Sequence, residues 1–264
     1  MKDRIRISVT LKPELVSLLD SKIDGTKIRN RSHAVEHFLK KQLLNTTGTA
    51  IIYINDEKES LTNIKGVPAI DYILQRLKKA GLLRVIFCHR AECKKLKKLV
   101  SLKKYSVFNI TFVQHKKDGT ADALAACKDL IGNENFFFIH GDILCDIDFY
   151  DLEDLHKSHN GLVTMVITSI ADPLPWGVVS VKRNLITSFT EKPLEHKSRA
   201  RLTNLINAGI YVLRPEIFSY INRKTVNLES DIFPQLAKDK QIYSYLLDGL
   251  WINVNRKDQL SLFK

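Results

Sequence analysis

A run of apolar residues that ends in a glycine and a carboxylate constrains this chain most. Phe136 to Ile139 are four consecutive apolar residues. They lack the alternation of a strand with one face in water, so they predict a strand buried on both faces. Gly141 and Asp142 follow at its carboxyl end, the edge where ligands bind in open α/β sheets. Asp142 is therefore a metal ligand or a polar anchor for a sugar or phosphate, or else a turn residue before a helix that begins near Asp148.

The rest of the chain indicates the same α/β fold class. From Ala50 onward strands alternate with helices, which predicts a doubly wound, mostly parallel sheet. Strands are expected at 50–54, 84–88, 110–114, 136–141, 162–170, 177–181, 186–191, 207–213, 242–247 and 250–254. Helices are expected near 68–80, 91–102, 119–131, 215–222 and 229–238.

Composition narrows the class of protein. The 264 residues, 44% of them hydrophobic, suit one large domain and a small one. No apolar run approaches the ~20 residues of a membrane helix, so no membrane partner is expected. The four cysteines lack CxxC spacing, which indicates reduced thiols in a cytoplasmic protein rather than zinc ligands. The net charge of +12 suggests a polyanionic partner if the charge is concentrated.

The first 45 residues form a separate pattern. Apolar and polar residues alternate strictly from Arg4 to Leu11, which predicts a strand with one buried face. Pro13 suits the first turn of a helix, Gly25 ends it, and Asn30 begins a second helix. A lone strand cannot satisfy its backbone groups within this segment, so we expect it to pair with a second copy in a homodimer.

The stretches R-I-S-V-T-L-K-P-E-L and N-R-S-H-A-V in this segment resemble the ribbon-helix-helix family of DNA-binding proteins. The resemblance implies a dimer whose ribbon enters the major groove of double-stranded DNA, with further association on DNA left open. Ten Lys/Arg against five Asp/Glu in residues 1–45 agree with it. The alternative is a ribbon that only dimerises the chain. The DNA-contacting residues that the resemblance implies are Arg4, Arg6, Ser8, Thr10, Asn30, Arg31 and Ser32.

After a predicted linker at 46–49, short motifs in residues 50–264 resemble those of the sugar-1-phosphate nucleotidyltransferases, in the family's order. They begin at Gln114, His140, Pro175, Glu191, Asn207, Leu228 and Trp251. The resemblance implies a Rossmann-like nucleotide-diphospho-sugar transferase fold that binds a sugar phosphate, nucleotide sugar or nucleotide. The ligand-binding residues that it implies are Gln114, Gly119, Thr120, Asp142, Gly177, Glu191, Lys192 and Asn207.

Two departures from that family weaken the expectation of catalysis. The family's glycine-rich loop GGxGTRL, which cradles the triphosphate, is replaced by residues 55–67, which begin with an acidic cluster. Asn253 stands where the family has the second aspartate of a Mg²⁺ site, which leaves at most a weak site at Asp142 and no other cofactor. We therefore interpret Asp142, Lys192 and Asn253 as remnants of a catalytic site.

Together these patterns give a main hypothesis, a DNA-binding transcriptional regulator with a degenerate nucleotidyltransferase-like domain that senses such a ligand. The alternative is an active sugar-1-phosphate nucleotidyltransferase whose N-terminal domain only dimerises it. A scaffold without a small ligand is a third possibility.

Overall fold

The computed structural model describes residues 8–23, 25, 28–44, 48–193 and 203–260. The chain divides into two compact units, Met1–Thr46 and Thr47–Lys264. Of the predicted linker at 46–49, only Gly48 and Thr49 are described, and Thr49 begins the first strand of the second unit.

The first unit contains two helices, α1 (Pro13–Asp20) and α2 (Arg31–Leu44). Pro13 lies at the start of α1, as its fixed φ favours. The side-chain oxygen of Asn30 accepts a hydrogen bond from the amide of His33 at 2.9 Å, which caps α2 at the predicted place. Residues 4–7 of the predicted strand lie outside the described part, and residues 8–12 form no strand.

The second unit is built from strands and helices in alternation. Its strands are β1 (Thr49–Ile54), β2 (Asn63–Ile64), β3 (Val67–Pro68), β4 (Arg84–His89), β5 (Asn109–Gln114), β6 (Phe136–His140), β7 (Ile143–Cys145), β8 (Val163–Ser169), β9 (Gly177–Lys182), β10 (Leu185–Glu191), β11 (Leu205–Leu213), β12 (Ile242–Leu246) and β13 (Trp251–Asn253). Its α-helices are α3 (Glu57–Ser60), α4 (Ala69–Lys79), α5 (Lys94–Val100), α6 (Thr120–Ala126), α7 (Lys128–Ile131), α8 (Phe149–Lys157), α9 (Phe233–Lys238) and α10 (Lys257–Leu260).

Within the described residues, nine strands form one sheet in the order β5-β4-β1-β6-β11-β8-β12-β10-β9. The first four are parallel to one another, as predicted for strands joined by helices. The other half is mixed, because β11 runs antiparallel to β6 and β8, and β10 runs antiparallel to β9 and β12. The expectation of a mostly parallel sheet is therefore corrected. Alternating helices predict parallel pairing only for strands joined by a crossover, whereas β11 lies between β6 and β8, which do not adjoin it in the chain.

The apolar run at Phe136 is buried on both faces, as predicted. Phe137 and Ile139 pack into one apolar cluster and Phe136 and Phe138 into the other, because successive side chains of a strand point to opposite faces. The same division holds along β1. Because both faces of the sheet are covered, polar side chains reach water mainly at the ends of its strands.

Several predicted helices are shorter or differently wound. The segment 119–131 is broken at Cys127 into α6 and α7, and 215–220 is a 3-10 helix. The segment predicted as 229–238 begins with a π-helical turn, Leu228–Ile232, before α9. None of the helices in the described part of the chain combines the length and apolar character needed to cross a bilayer.

Candidate functional site

A pocket of about 510 Å³ opens at the carboxyl ends of β1 and β6. Polar and aromatic side chains from both halves of the sheet line it. They are Tyr53, Asn55, Thr120, His140, Asp142, Trp176, Glu191, Lys192, Asn207, Asn227, Glu229, Ser230, Trp251, Asn253, Asn255 and Arg256, with Ile143, Pro175, Gly177, Ala208 and Gly209 completing the wall.

Glu229 is the most connected charged group of the pocket, although it is only 9% exposed. One of its oxygens, Oε2, accepts a 2.5 Å hydrogen bond from the hydroxyl of Thr120. The other, Oε1, accepts one from the hydroxyl of Tyr211 at 3.3 Å and lies 3.4 Å from Nε2 of His140. These contacts satisfy a buried carboxylate that would otherwise be costly to remove from water.

His140 and Glu229 favour each other's charged forms. Burial acts to lower the pKa of His140, but the carboxylate of Glu229 outweighs it, so the pKa lies above its ordinary value. Burial acts to raise the pKa of Glu229, but His140 and the hydroxyl of Thr120 outweigh it, so this pKa is lowered. The pocket therefore contains an ion pair.

The Asn207-Ala-Gly motif forms an irregularity in β11 that turns Asn207 towards the pocket. The register of β11 against β8 shifts between Asn207 and Tyr211, and Gly209 has φ +76°, a conformation that glycine adopts most easily. The side-chain amide of Asn207 donates to the hydroxyl of Tyr211 at 2.6 Å and accepts from the amide of Gly209 at 3.0 Å. Asn207 is thus held in place by its own strand.

Gly177, Glu191 and Lys192 meet at the end of the β9–β10 pair. A Cβ atom on Gly177 would lie 2.6 Å from the ring of Phe189 and 2.8 Å from Oε2 of Glu191, so a larger residue here would displace these side chains. Lys192 follows with φ +42°, its backbone amide bonded to the carbonyl of Trp176 at 3.1 Å and its ammonium 3.9 Å from Glu191. Burial and then the charge of Glu229 raise the pKa of Glu191.

Asp142 is held by amide groups. Its Oδ2 accepts hydrogen bonds from the side-chain amides of Asn253 at 2.9 Å and Asn255 at 3.2 Å. It does not cap the next helix, because Asp148 does so by accepting from the amide of Tyr150. Asp142 is thus part of the pocket wall, not a turn residue before α8.

The donors around Asp142 do not fit the magnesium ion that the family resemblance implies. Mg²⁺ prefers carboxylate and phosphate oxygens, whereas N–H groups face Asp142 here. Within the described residues, no group of three or more His, Cys, Asp or Glu side chains is arranged to hold a metal.

The acidic segment that replaces the glycine-rich loop is folded against the site. Asp56 caps α3 by accepting from the amide of Lys58 at 2.8 Å, and Glu57 accepts from the amide of Leu96 at 2.8 Å. Burial raises the pKa of Glu59, an effect that hydrogen bonds from Asn255 oppose and the charge of Asp142 reinforces. These carboxylates therefore make specific contacts in the second unit.

Two predicted ligand residues, Gln114 and Gly119, do not line the pocket. The side-chain amide of Gln114 donates to the carbonyl of Arg90 at 2.9 Å. Gly119 has φ +110°, and a Cβ atom there would lie 2.1 Å from the carbonyl oxygen of Val226. The structure thus gives Gly119 a packing role at the start of α6. The other six predicted ligand residues, from Thr120 to Asn207, line one pocket.

Those residues predicted to contact DNA that the structure describes do not form a comparable cluster in the first unit. Arg4 and Arg6 lie outside the described residues, and Ser8, Thr10 and Ser32 are exposed. Arg31 forms a two-bond ion pair with Asp20 at 2.6 Å, and Asn30 caps α2.

The sequence prediction missed several pocket residues, including His140, Glu229 and Asn255. Glu229 lies in the motif Leu228–Pro234 that resembles the family, so that motif was the one available indication of it. Trp176 and Trp251, the chain's two tryptophans, pack edge to face with ring centres 5.0 Å apart. No pattern in the sequence indicates that contact.

The mixed sheet and the polar pocket at its carboxyl edge define a nucleotide-diphospho-sugar transferase-like α/β protein. Comparison with known families agrees, because the family model named "Nucleotidyl transferase" matches residues 54–260. The chain belongs to this family.

Relatives and solved structures are consistent with that assignment. Mannose-1-phosphate guanyltransferase of Saccharomyces cerevisiae is 37% identical over 206 residues, which are 74% of this chain and 55% of the relative. The Schizosaccharomyces pombe protein of the same name is 36% identical over 205 residues, 74% and 54% of the two chains. This chain thus spans about half the length of these relatives. HddC from Yersinia pseudotuberculosis, solved with GMP-PN, shares the fold with a TM-score of 0.68 at 17% identity, over 81% of this chain and 97% of that one.

These relatives contradict the main functional hypothesis. Their names describe sugar-phosphate nucleotidyl chemistry, whereas the hypothesis was a DNA-binding transcriptional regulator. The error came from giving the short N-terminal pattern more weight than the ordered motifs across most of the chain. Double-stranded DNA as a partner is withdrawn with it.

Proposed function

We propose that the second unit binds a sugar 1-phosphate in this pocket and transfers a nucleotidyl group to it. The relatives' names suggest mannose 1-phosphate and a guanylyl group. The observation that carries the proposal is the meeting of Glu191, Lys192 and Asn207 in one pocket at the carboxyl edge of the sheet. The ammonium of Lys192 suits a phosphate, and the carboxylate and amide suit sugar hydroxyls.

The reaction follows from these substrates. A phosphate oxygen of the sugar phosphate attacks the α-phosphorus of the nucleoside triphosphate and forms a new P–O bond. The bond from the α-phosphorus to the oxygen that leads to the β-phosphorus breaks, and pyrophosphate leaves with the electron pair. The pocket contributes mainly by holding the two substrates in line.

Release of pyrophosphate from mannose 1-phosphate and GTP in the presence of Mg²⁺ tests this proposal. We expect turnover by the full chain, its loss in Lys192→Ala, and its retention in Lys182→Ala, a matched change at an exposed lysine of β9. Pyrophosphate release no faster than in a protein-free control would contradict it.

A second candidate function is binding of the same ligands without turnover. The observation that favours it is the pair of amides on Asp142, together with the acidic segment that caps and forms α3. A protein of this kind binds mannose 1-phosphate or GDP-mannose and releases no pyrophosphate. Both tryptophans line the pocket, so intrinsic fluorescence measures binding independently of turnover.

For residues 1–45 we propose a ribbon-helix-helix unit that dimerises the chain. None of the residues of α1 is buried in the described chain, and Leu18 is 60% exposed. A second copy would cover such an apolar face. Light scattering should give the mass of a dimer for the full chain and of a monomer for Leu18→Glu, with Ser17→Glu as the matched control. A monomeric wild-type chain would contradict this proposal.

A further inference from the structure

Three hydrogen bonds tie Asp142 to the segment after β13. Two are the side-chain amide bonds from Asn253 and Asn255 to Oδ2. The third joins the carbonyl oxygen of Asp142 to the backbone amide of Val254 at 2.9 Å. Asp142 therefore extends the contact between β7 and β13, which pair antiparallel from Asn253 opposite Ile143.

The orientation of the Asn253 side chain is fixed by its other contacts. Its Oδ1 accepts a hydrogen bond from the backbone amide of Asn255 at 2.9 Å, so its Nδ2 is the group that faces Asp142. Its backbone amide is bonded to Oε1 of Gln259 at 2.8 Å, and the residue is only 7% exposed. Turning the amide over would place two acceptor oxygens together and break the bond to Asn255.

The surroundings of Asp142 favour hydrogen-bond donors over cations. A divalent cation at the carboxylate would meet the N–H groups of Asn253 and Asn255, which are directed at the same oxygen. The cationic side chains in the pocket wall are instead Lys192 and Arg256.

We propose that Asn253 and Asn255 take the place of a divalent cation on Asp142, so that the pocket binds the phosphate of its ligand without a metal of its own. The inference rests on the proposed ligand class and adds that binding of the sugar phosphate is independent of metal. It also assigns Asn253 as the residue that excludes the cation.

Titration of Mn²⁺, followed by the paramagnetic resonance of the free ion, tests the metal part without any substrate. We expect no saturable site in the wild-type chain that depends on Asp142. Asn253→Asp should bind Mn²⁺ roughly tenfold more tightly or better, a gain of ~1.4 kcal/mol or more. Adding Asp142→Asn to that variant should abolish the gain. Asn184→Asp, which adds the same charge at an exposed turn, should leave Mn²⁺ binding unchanged.

One stoichiometric Mn²⁺ on the wild-type chain that Asp142→Asn removes would overturn the proposal. This outcome needs only the wild-type protein and a conservative variant, so it stands even if Asn253→Asp does not fold. Circular dichroism of each variant shows whether the fold is kept.

Tryptophan fluorescence tests the ligand part with mannose 1-phosphate as the probe. In the wild-type chain we expect dissociation constants in EDTA and in Mg²⁺ to agree within about twofold. In Asn253→Asp the two constants should separate. If adding EDTA weakens the binding of mannose 1-phosphate to the wild type by roughly tenfold or more, the proposal is overturned. If mannose 1-phosphate binds in neither buffer, the proposed function fails, and the Mn²⁺ titration decides this inference alone.

Discussion

On one side of the pocket charged groups face one another, while on the other side neutral amides face a single carboxylate. The ionic side contains His140, Glu229, Glu191 and Lys192. The charges on this side shift the pKa values of His140, Glu229 and Glu191. The amide side contains Asp142 with Asn253 and Asn255.

The two sides satisfy their carboxylates, the buried Glu229 and the partly buried Asp142, in different ways. Glu229 is balanced by a positive charge and by hydroxyl groups, so its contribution to stability depends on pH. Asp142 is balanced by dipoles that do not titrate. The comparison shows that a fold can keep the shape of a site while replacing charge by neutral donors on one side only.

The largest effect is expected from Glu229→Ala, which removes the centre of the ionic side. Thr120, Tyr211 and His140 would lose a shared buried partner, at a cost of about 3 kcal/mol in the free energy of unfolding. Denaturant unfolding measures it. Glu216→Ala, at an exposed position, should change the free energy by less than about 0.5 kcal/mol. Equal losses in both variants would show that Glu229 has no special role in stability.

Lys192→Ala should weaken binding of mannose 1-phosphate by about ten- to a hundredfold. The reason is the loss of a charge-assisted hydrogen bond worth roughly 1.5–3 kcal/mol. Tryptophan fluorescence measures this constant, with Lys182→Ala as the matched control. If both variants bind like the wild type, the ligand phosphate does not lie on the ionic side.

His140→Gln should remove a pH dependence that belongs to the ionic side. The raised pKa of His140 means that its contribution is complete below the unfolded value of about 6.5 and is lost as pH rises through the folded value. The lowered pKa of Glu229 means that its contribution is lost only as pH falls through that folded value. Wild-type stability should therefore fall above neutral pH, relative to the variant, by at most ~1.4 kcal/mol per pH unit.

Unfolding free energies of wild type and His140→Gln between neutral and mildly alkaline pH measure this difference. Parallel curves would mean that His140 is not charged in the folded protein.

The smallest effect is expected from Asn253→Ala on the amide side. Asp142 keeps the bond from Asn255, so the loss should be about 1 kcal/mol and should not vary with pH in the neutral range. Denaturant unfolding at two pH values measures it, with Asn184→Ala as the exposed control. A loss as large as that of Glu229→Ala would remove the distinction between the two sides.

Local patterns in the sequence predicted much of the fold. Continuous apolar runs such as Phe136 to Ile139 marked the buried strands, and Asn30 marked the start of α2. The parallel half of the sheet followed from alternating strands and helices. The antiparallel course of β11 could not be predicted, because strand direction depends on where distant segments pack and not on their composition.

Only those site residues that belong to short local motifs could be predicted from the sequence. Asn207 and Lys192 belong to such motifs, and both line the pocket. The bond between Thr120 and Glu229 joins residues 109 positions apart, and no local pattern encodes such a contact. Gly119 was predicted to bind the ligand because its motif resembles a binding motif. In the structure, Gly119 instead lies close to the backbone of Val226.

The backbone at Lys192 has a consequence for how this protein can change. Its φ of +42° is a conformation that costs a non-glycine residue about 1–2 kcal/mol. Glycine would adopt it at a lower energy. A lineage selected only for thermal stability would lose this lysine early, and its ammonium with it. Relieving this backbone strain with glycine would therefore also remove the ammonium group from the pocket wall.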